Sequence, residues 1–325
     1  MLKTPVLKSN KRKRLHKPWE NPPAPAKAAV TPPVKRAKSG ALALTGSTRK
    51  KSRQWMAWVN DQPLSLPAWA KAKIEAGVKP PELSAAQVNN RHKGELVFVF
   101  GNGMGLWSAY DHAAALRDYA CIGVALSWLL LDGDYLIFSE KSPWVFCMEE
   151  LLRLRTLIFY PDYSGKPGWD VPVGTRYRPV IINPKKPALT YRFEDGISSW
   201  GSGMTATCLA SLMGAKEIAL CGVDLNSNRH FYSGQEELFN NEFVRHIGSF
   251  RFPSEQKYPN VSPRLAAWPK IGRILEKRGT KVWNCSPTSA LNCFEKISIP
   301  ALLDKTKANR MKIRHEAALD RWLDS

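Results

Sequence analysis

From residue 95 onward the chain alternates short unbroken apolar runs with longer segments of helical period. Leu96-Val97-Phe98-Val99-Phe100 is apolar at every position. Successive strand side chains point to opposite faces, so such a run predicts a strand buried on both. The same pattern predicts strands over 120–124, 135–139, 156–159, 180–182, 217–221 and 281–284. Helices are predicted over 107–116, 205–213 and 265–278. A charged helix over 302–323 would carry Leu303, Met311, His315, Ala318 and Trp322 on one side, to pack on the body or to bind a partner. Strands alternating with helices predict an α/β fold over 94–300: a Rossmann-like, mostly parallel sheet with helices on both faces.

Ahead of this body the pattern fails. Residues 1–53 hold fifteen Lys or Arg and one acid, Glu20, a net +14 of the +20 carried by all 325 residues. Clustered prolines and like-charge blocks cannot bury enough surface to offset ordering entropy, so this segment is expected to be a disordered basic tail. Its clusters Lys11-Arg12-Lys13-Arg14, Lys35-Arg36 and Arg49-Lys50-Lys51-Ser52-Arg53 lie near Trp19, Trp55 and Trp58. Attachment to nucleic acid or another polyanion is one reading; a solvated tail that keeps the protein soluble is the other. Residues 54–93, broken at Pro63, Pro67 and Pro80-Pro81, are expected to form a connector with short helices. The longest apolar stretch, 121–131, is shorter than the roughly 18 residues of a membrane span, and no apolar signal core follows the basic start. A cytoplasmic protein, in host cytoplasm if phage-encoded, is therefore expected, its six scattered cysteines reading as buried free thiols.

In an open parallel sheet, ligands bind beyond the carboxyl ends of the strands. Three loops there have suitable composition. Gly101-Asn102-Gly103 follows the first strand directly, where glycines permit tight turning and close approach to a ligand; any tight strand-to-helix turn also wants glycine. Gly201-Ser202-Gly203 opens a helix, as a phosphate or sugar site or as a plain helix start with small residues. Asp224 follows Gly222-Val223, facing a ligand or capping its loop. Beyond it, His230 and Tyr232 flank Phe231 and would share one face of an extended segment. Ser286 and Thr288 follow the last strand, within reach of a nucleotide or shaping a proline turn at Pro287. No metal-ligand spacing, phosphate-loop motif or nucleophile elbow is present.

The series strand–GNG, GSGMTATCLASLMGAKEIALCGVDLNSNRHFY and WNCSPTSAL resembles bacterial sialyltransferases that use CMP-activated sialic acid. It also resembles the related group containing 6-hydroxymethylpterin diphosphokinase, which includes phage members. The likeness spans residues 94–300. It implies that Asn102 contacts the nucleotide and Ser202 the nucleotide-sugar. Tyr232 would stand near the sugar's phosphate and assist its departure, and Ser286 and Thr288 would lie near the cytidine. The chain departs from that pattern in four places. Gly123-Val124-Ala125 stands where an asparagine is usual, Asn226 replaces a second tyrosine, and Met104-Gly105-Leu106 replaces Pro-Ser-Leu. The general-base histidine falls near Pro263, and His246 lies too far upstream to align with it.

Three functions follow. The first is a glycosyltransferase using a CMP- or UDP-linked donor, with Tyr232, His230 and Asp224 as the chemical residues and no metal. The second is a pterin-type diphosphotransferase using ATP and magnesium, with Asp224 on the metal side. The third is a non-catalytic nucleic-acid-binding or phage morphogenesis protein.

Overall fold

A computed structural model describes residues 59, 61–62, 64–162, 173–183, 185–226, 230–233, 239, 241, 244, 261–306 and 322. The basic tail and His246 lie outside the described residues, as does most of the helix expected over 302–323.

Two short helices come first, α1 (Ala68–Glu75) and α2 (Ala85–Val88). They do more than connect: Leu83 and Val88 belong to the main core, and the Leu83 amide donates to Thr175 Oγ1 at 2.8 Å. Then β1 (Leu96–Phe100) leads into α3 (Leu106–Tyr110) and α4 (Ala113–Leu116). The single helix expected over 107–116 is thus two, parted at Asp111-His112, where His112 leaves helical geometry with φ −111 and ψ 12. There follow β2 (Ala120–Val124), β3 (Tyr135–Ile137), α5 (Ser142–Leu152), β4 (Leu157–Pro161), β5 (Thr175–Tyr177), β6 (Pro179–Ile181) and β7 (Ile197–Ser199). The chain then forms α6 (Ser202–Leu212), β8 (Glu217–Cys221), α7 (Val261–Lys277), β9 (Lys281–Asn284), β10 (Glu295–Lys296) and α8 (Ile299–Lys305).

Eight strands make one sheet in the order β10-β9-β8-β1-β2-β3-β4-β5, and all their pairings are parallel. The expected α/β fold is present. The strand foreseen over 180–182 is β6, but it leaves the sheet and pairs with β7 in a separate two-stranded ribbon. β1 is buried at all five positions, as its apolar run demands. Beginning there, the chain builds outward to β5 and then returns to lay β8 on β1's other flank. The strand order therefore reverses between β1 and β8, with Phe98 opposite Cys121 on one side and Ala219 on the other.

α6 lies across this reversal and is buried almost all round, from Met204 to Ala210 and at Leu212. Its small residues permit that close approach to the sheet. It closes at Gly214, whose φ of 83° suits glycine, with the Ala215 amide reaching back to Ala210 O at 3.1 Å. The other end of the sheet is braced by buried polar groups. His92 meets Glu95 through Nδ1 at 2.7 Å and the Tyr135 hydroxyl through Nε2 at 2.8 Å. Arg91 Nε also donates to that hydroxyl at 2.8 Å. The Tyr135 proton is then directed at Nε2 and Nδ1–H at Glu95, which describes a neutral histidine. Burial accordingly pushes the His92 pKa below its ordinary value, against the opposing pull of Glu95.

Near the chain's end, buried Trp322 sits against Trp69 with ring centroids 6.2 Å apart, and its carbonyl accepts from Lys73 Nζ at 2.6 Å. Among the described residues no helix is long and apolar enough to cross a membrane.

Candidate functional site

The reversal between β1 and β8 brings the loops after both strands to one edge, and a wound sheet offers a crevice at such a place. Val223 marks where they meet. A methyl group on Gly101 would lie 3.0 Å from the Val223 side chain, and one on Gly203 would lie 3.2 Å from it. Turns more than a hundred residues apart in sequence thus flank the same side chain.

The first and third loops do more than converge; they interlock. Gly101 N donates to Cys221 O and Gly103 N to Gly222 O, each at 2.7 Å. A Cβ on Gly101 would sit 2.4 Å from Gly222 O, and one on Gly103 would sit 2.5 Å from Asp224 Oδ2. One on Gly105 would sit 2.6 Å from Ser286 Oγ. The close approach for which these glycines are needed is therefore to the neighbouring loop of the protein itself.

Asp224 is buried and turned into this seam, where Oδ2 accepts the Gly105 amide at 2.8 Å. Burial raises its pKa above the usual carboxylate value, against the opposing effects of the Gly105 amide and the Ser286 hydroxyl. Ser286 is fully buried, and its Oγ accepts the Gly222 amide at 2.5 Å. Thr288 is exposed, and its carbonyl accepts from Asn226 Nδ2. Asp224 and Ser286 brace the glycine seam, and Asp224 Oδ1 is buried with no hydrogen-bond partner among the described residues.

His230 and Tyr232 lie on the outer side of the same seam, in a turn and not the extended segment foreseen. Their rings stack at 5.1 Å with planes 29° apart. The turn is fastened to the glycine loop and to α3. Gly103 and His230 form a bridge, Phe231 N donates to Asn102 O at 2.9 Å, and Trp107 Nε1 donates to Phe231 O at 2.9 Å. Tyr232 is buried, whereas His230 is only partly so. The His230 ring hydrogen-bonds the Asn102 main chain, and burial pushes its pKa below the ordinary value. An imidazole donating from one nitrogen while neutral keeps a lone pair on the other. Asn102 is half-buried, and its Oδ1 has no hydrogen-bond partner among the described residues.

The second loop differs in kind. Gly201 takes a left-handed φ of 103° and starts α6 with no side-chain cap. The first intrahelical bonds run from Met204 N and Thr205 N to Gly201 O, each at 3.0 Å. The amides of Ser202 and Gly203 have no acceptor among the described residues, as expected of an uncapped helix start. Against this end lies Arg264, from the first turns of α7, with its guanidinium carbon 3.6 Å from where a Gly201 Cβ would stand. Its Nε is buried without a partner among the described residues. A guanidinium, a serine hydroxyl and two free amides at the positive end of an 11-residue helix form an anion-seeking arrangement.

Arg264 did not stand out in the sequence. It follows Pro263, where the resemblance leads one to look for a histidine, and a lone arginine opening an amphipathic helix looks like ordinary surface. Its one signal was position, immediately after that expected base. A second detail of the rim concerns Ala125, in the stretch Gly123-Val124-Ala125 where the resemblance leads one to look for an asparagine. It takes a left-handed φ of 49°, a conformation that asparagine tolerates better than alanine. No group of three or more His, Cys, Asp or Glu suited to a metal gathers among the described residues.

Fold and site together define a doubly wound parallel α/β protein with an uncapped helix start and an arginine side by side at its strand reversal. No family model and no curated protein sequence matches the chain. Among solved structures it is similar to the sialyltransferase CstII from Campylobacter jejuni in complex with the substrate analogue CMP-3FNeuAc. That match has 15% identity and a TM-score of 0.36, and covers 62% of this chain and 85% of that one. The same enzyme with cytidine-5'-monophosphate matches at 13% identity with a TM-score of 0.38, over 68% and 89%. Likeness at that level says nothing of substrate, so the chemistry must be argued from the site's own atoms.

Proposed function

We propose that the chain is a transferase that binds a nucleotide-activated donor at the carboxyl edge of its sheet, with a nucleotide-sugar, CMP- or UDP-linked, as donor. The observation that carries this reading is the uncapped start of α6 beside Arg264, whose Nε has no partner among the described residues. A donor's phosphate would sit there, held by the Ser202 and Gly203 amides, the Ser202 hydroxyl and Arg264. Asn102, with an unpartnered Oδ1, is left for the nucleoside. Negative charge grows on the phosphate oxygen as its bond to the sugar carbon breaks. Fixed positive groups at that oxygen stabilise the transition state more than the ground state. The acceptor oxygen bonds to the sugar carbon, and its proton passes to His230, whose depressed pKa keeps it neutral, with a lone pair to accept that proton, near pH 7. Tyr232 stacks beneath His230 and serves to orient the base. Asp224 is assigned to holding the glycine seam and takes no part in proton transfer.

The diphosphotransferase reading needs a carboxylate at the metal. Asp224, the residue it would use, points into Gly105 N–H, so that reading is the weaker one.

Thermal-shift titration with CMP, UDP and ATP plus magnesium tests the proposal. A nucleotide present at 100 times its dissociation constant adds about 2.7 kcal/mol, which is about 5–11 °C for a body of this size. CMP or UDP should raise Tm, and Arg264→Gln should remove the rise while leaving the unliganded Tm in place. A rise with ATP–magnesium alone would transfer the assignment to diphosphoryl transfer. No shift with any nucleotide at millimolar concentration would end the proposal.

A further inference from the structure

The opposite end of the sheet holds a second polar cleft that the transferase reading does not use. It has a volume of about 700 Å³ and lies among the turn before β1, the end of α6 and the turn between α7 and β9. Four cationic side chains line it, Lys93, Arg192, Lys216 and Arg278. The one carboxylate in the lining, Glu194, is exposed and accepts from Asn89 Nδ2 at 3.0 Å. Lys93 and Lys216 are exposed and come from adjoining turns, for Gly94 N donates to Gly214 O at 3.0 Å and Lys216 N to Glu95 O at 2.9 Å.

Arg278 is fixed in place. Its Nη1 donates to Thr190 O at 2.9 Å and its Nη2 to Leu189 O at 2.8 Å. That leaves its plane under the ring of Tyr191, with the guanidinium carbon 3.9 Å from the ring centroid. One face of Tyr191 is thus covered by a cation, yet the residue remains 77% exposed. An exposed tyrosine backed by a rigid guanidinium is a ready platform for a second planar ring. Two exposed lysines, with no ion pair among the described residues, add beside such a platform the charge that a phosphate ester requires.

From this juxtaposition we infer that the amino-end cleft binds a nucleobase bearing phosphate, the base stacked on the open face of Tyr191 and the phosphate at Lys93 and Lys216. The ligand's source is a free nucleotide or one residue of a single strand. The cleft stands at the far edge of the sheet from Arg264, so it does not depend on the donor site.

The test is fluorescence anisotropy on the full chain with a labelled eight-residue oligothymidylate, with unlabelled CMP and AMP as competitors. Losing one stacked base costs about 1–3 kcal/mol, so Tyr191→Ala should weaken binding about 5- to 150-fold. Tyr191→Phe should restore it, because the platform needs the ring and not the hydroxyl. The K93A/K216A pair should flatten the slope of log affinity against log salt by about 0.7, the value for the one single-strand phosphate the two lysines share. Competition by millimolar mononucleotide would assign a free nucleotide; oligonucleotide binding without such competition would assign a strand. Oligonucleotide affinity unchanged by both Tyr191→Ala and the lysine pair, in variants whose Tm matches the parent, would overturn the inference and leave binding to other parts of the chain. Absence of any binding would overturn it too. Arg264→Gln should leave these affinities unaltered, which separates this cleft from the donor site.

Discussion

The glycine seam at the carboxyl edge makes a sharp demand on position 101. Gly101 has no left-handed backbone, so alanine meets no conformational penalty there, and the lost flexibility of the unfolded chain would by itself favour alanine by about 0.4–1 kcal/mol. The obstacle is purely steric. The new Cβ would stand 2.4 Å from Gly222 O and 2.8 Å from Gly222 C, both backbone atoms. Restoring ordinary contact moves the Gly222 carbonyl by about 1 Å. That carbonyl accepts the Gly103 amide at 2.7 Å, and the Gly222 amide is held by Ser286 Oγ at 2.5 Å. The movement therefore strains two buried hydrogen bonds at once. Overpacking costs about 1–3 kcal/mol, and weakening one such bond adds about 1 more. The sum, about 2–4 kcal/mol, corresponds to about 4–16 °C in Tm at about 2–4 °C per kcal/mol.

The assay is thermal unfolding of Gly101→Ala beside a control, Gly279→Ala. Gly279 has a left-handed φ of 77° and nothing within 4 Å of its missing Cβ, so alanine there costs about 1–2 kcal/mol of backbone strain alone. Gly101→Ala should lose clearly more than the control. An equal or smaller loss would show that the two loops are not pressed together, and the description of the site would fail with it.

Asp224→Asn keeps an acceptor for the Gly105 amide and removes a buried charge. Because burial raises the Asp224 pKa, the wild type loses stability as pH rises from the ordinary carboxylate value through the folded pKa. Asn should therefore gain on wild type at pH 7 relative to pH 4 in paired melting curves; an advantage confined to pH 4 would contradict the burial. His92→Gln disrupts contacts with Glu95 and Tyr135 and should cost about 2 kcal/mol at pH 8. The penalty should shrink toward pH 5, since the depressed His92 pKa makes the wild type itself lose stability as pH falls below the ordinary histidine value. A penalty constant across that range, read by denaturant titration, would show that the imidazole is not held neutral. Once a donor is identified, His230→Gln should lower kcat by about 100-fold or more with little change in nucleotide affinity. Equal losses in both would recast His230 as a binding residue.

The long buried strands were legible because their apolar runs have no other use. An unbroken sequence such as 96–100 suits a strand covered on both faces, and a glycine immediately after it marks the turn. β5, β7 and β10 escaped notice because Thr175-Arg176-Tyr177, Ile197-Ser198-Ser199 and Glu295-Lys296 are short and hold no apolar run. Their pairing draws on backbone amides and carbonyls, which every sequence supplies. Residues 107–116 read as one helix because local composition cannot register a break imposed by packing.

The site divides along the same line. The sequence alone determined that glycine turns follow the strands at 101 and 222 and precede the helix at 202, since local backbone chemistry settles such turns. Only the tertiary structure decided what those glycines touch. The return of β8 to the flank of β1 presses the first and third turns together, so Gly101 and Gly103 meet backbone and Asp224 in place of a ligand. It also sets Arg264, from a helix some sixty residues further on, against the bare start of α6. Contacts of that range depend on strand order, and strand order is a property of the whole sheet that no local run of residues encodes.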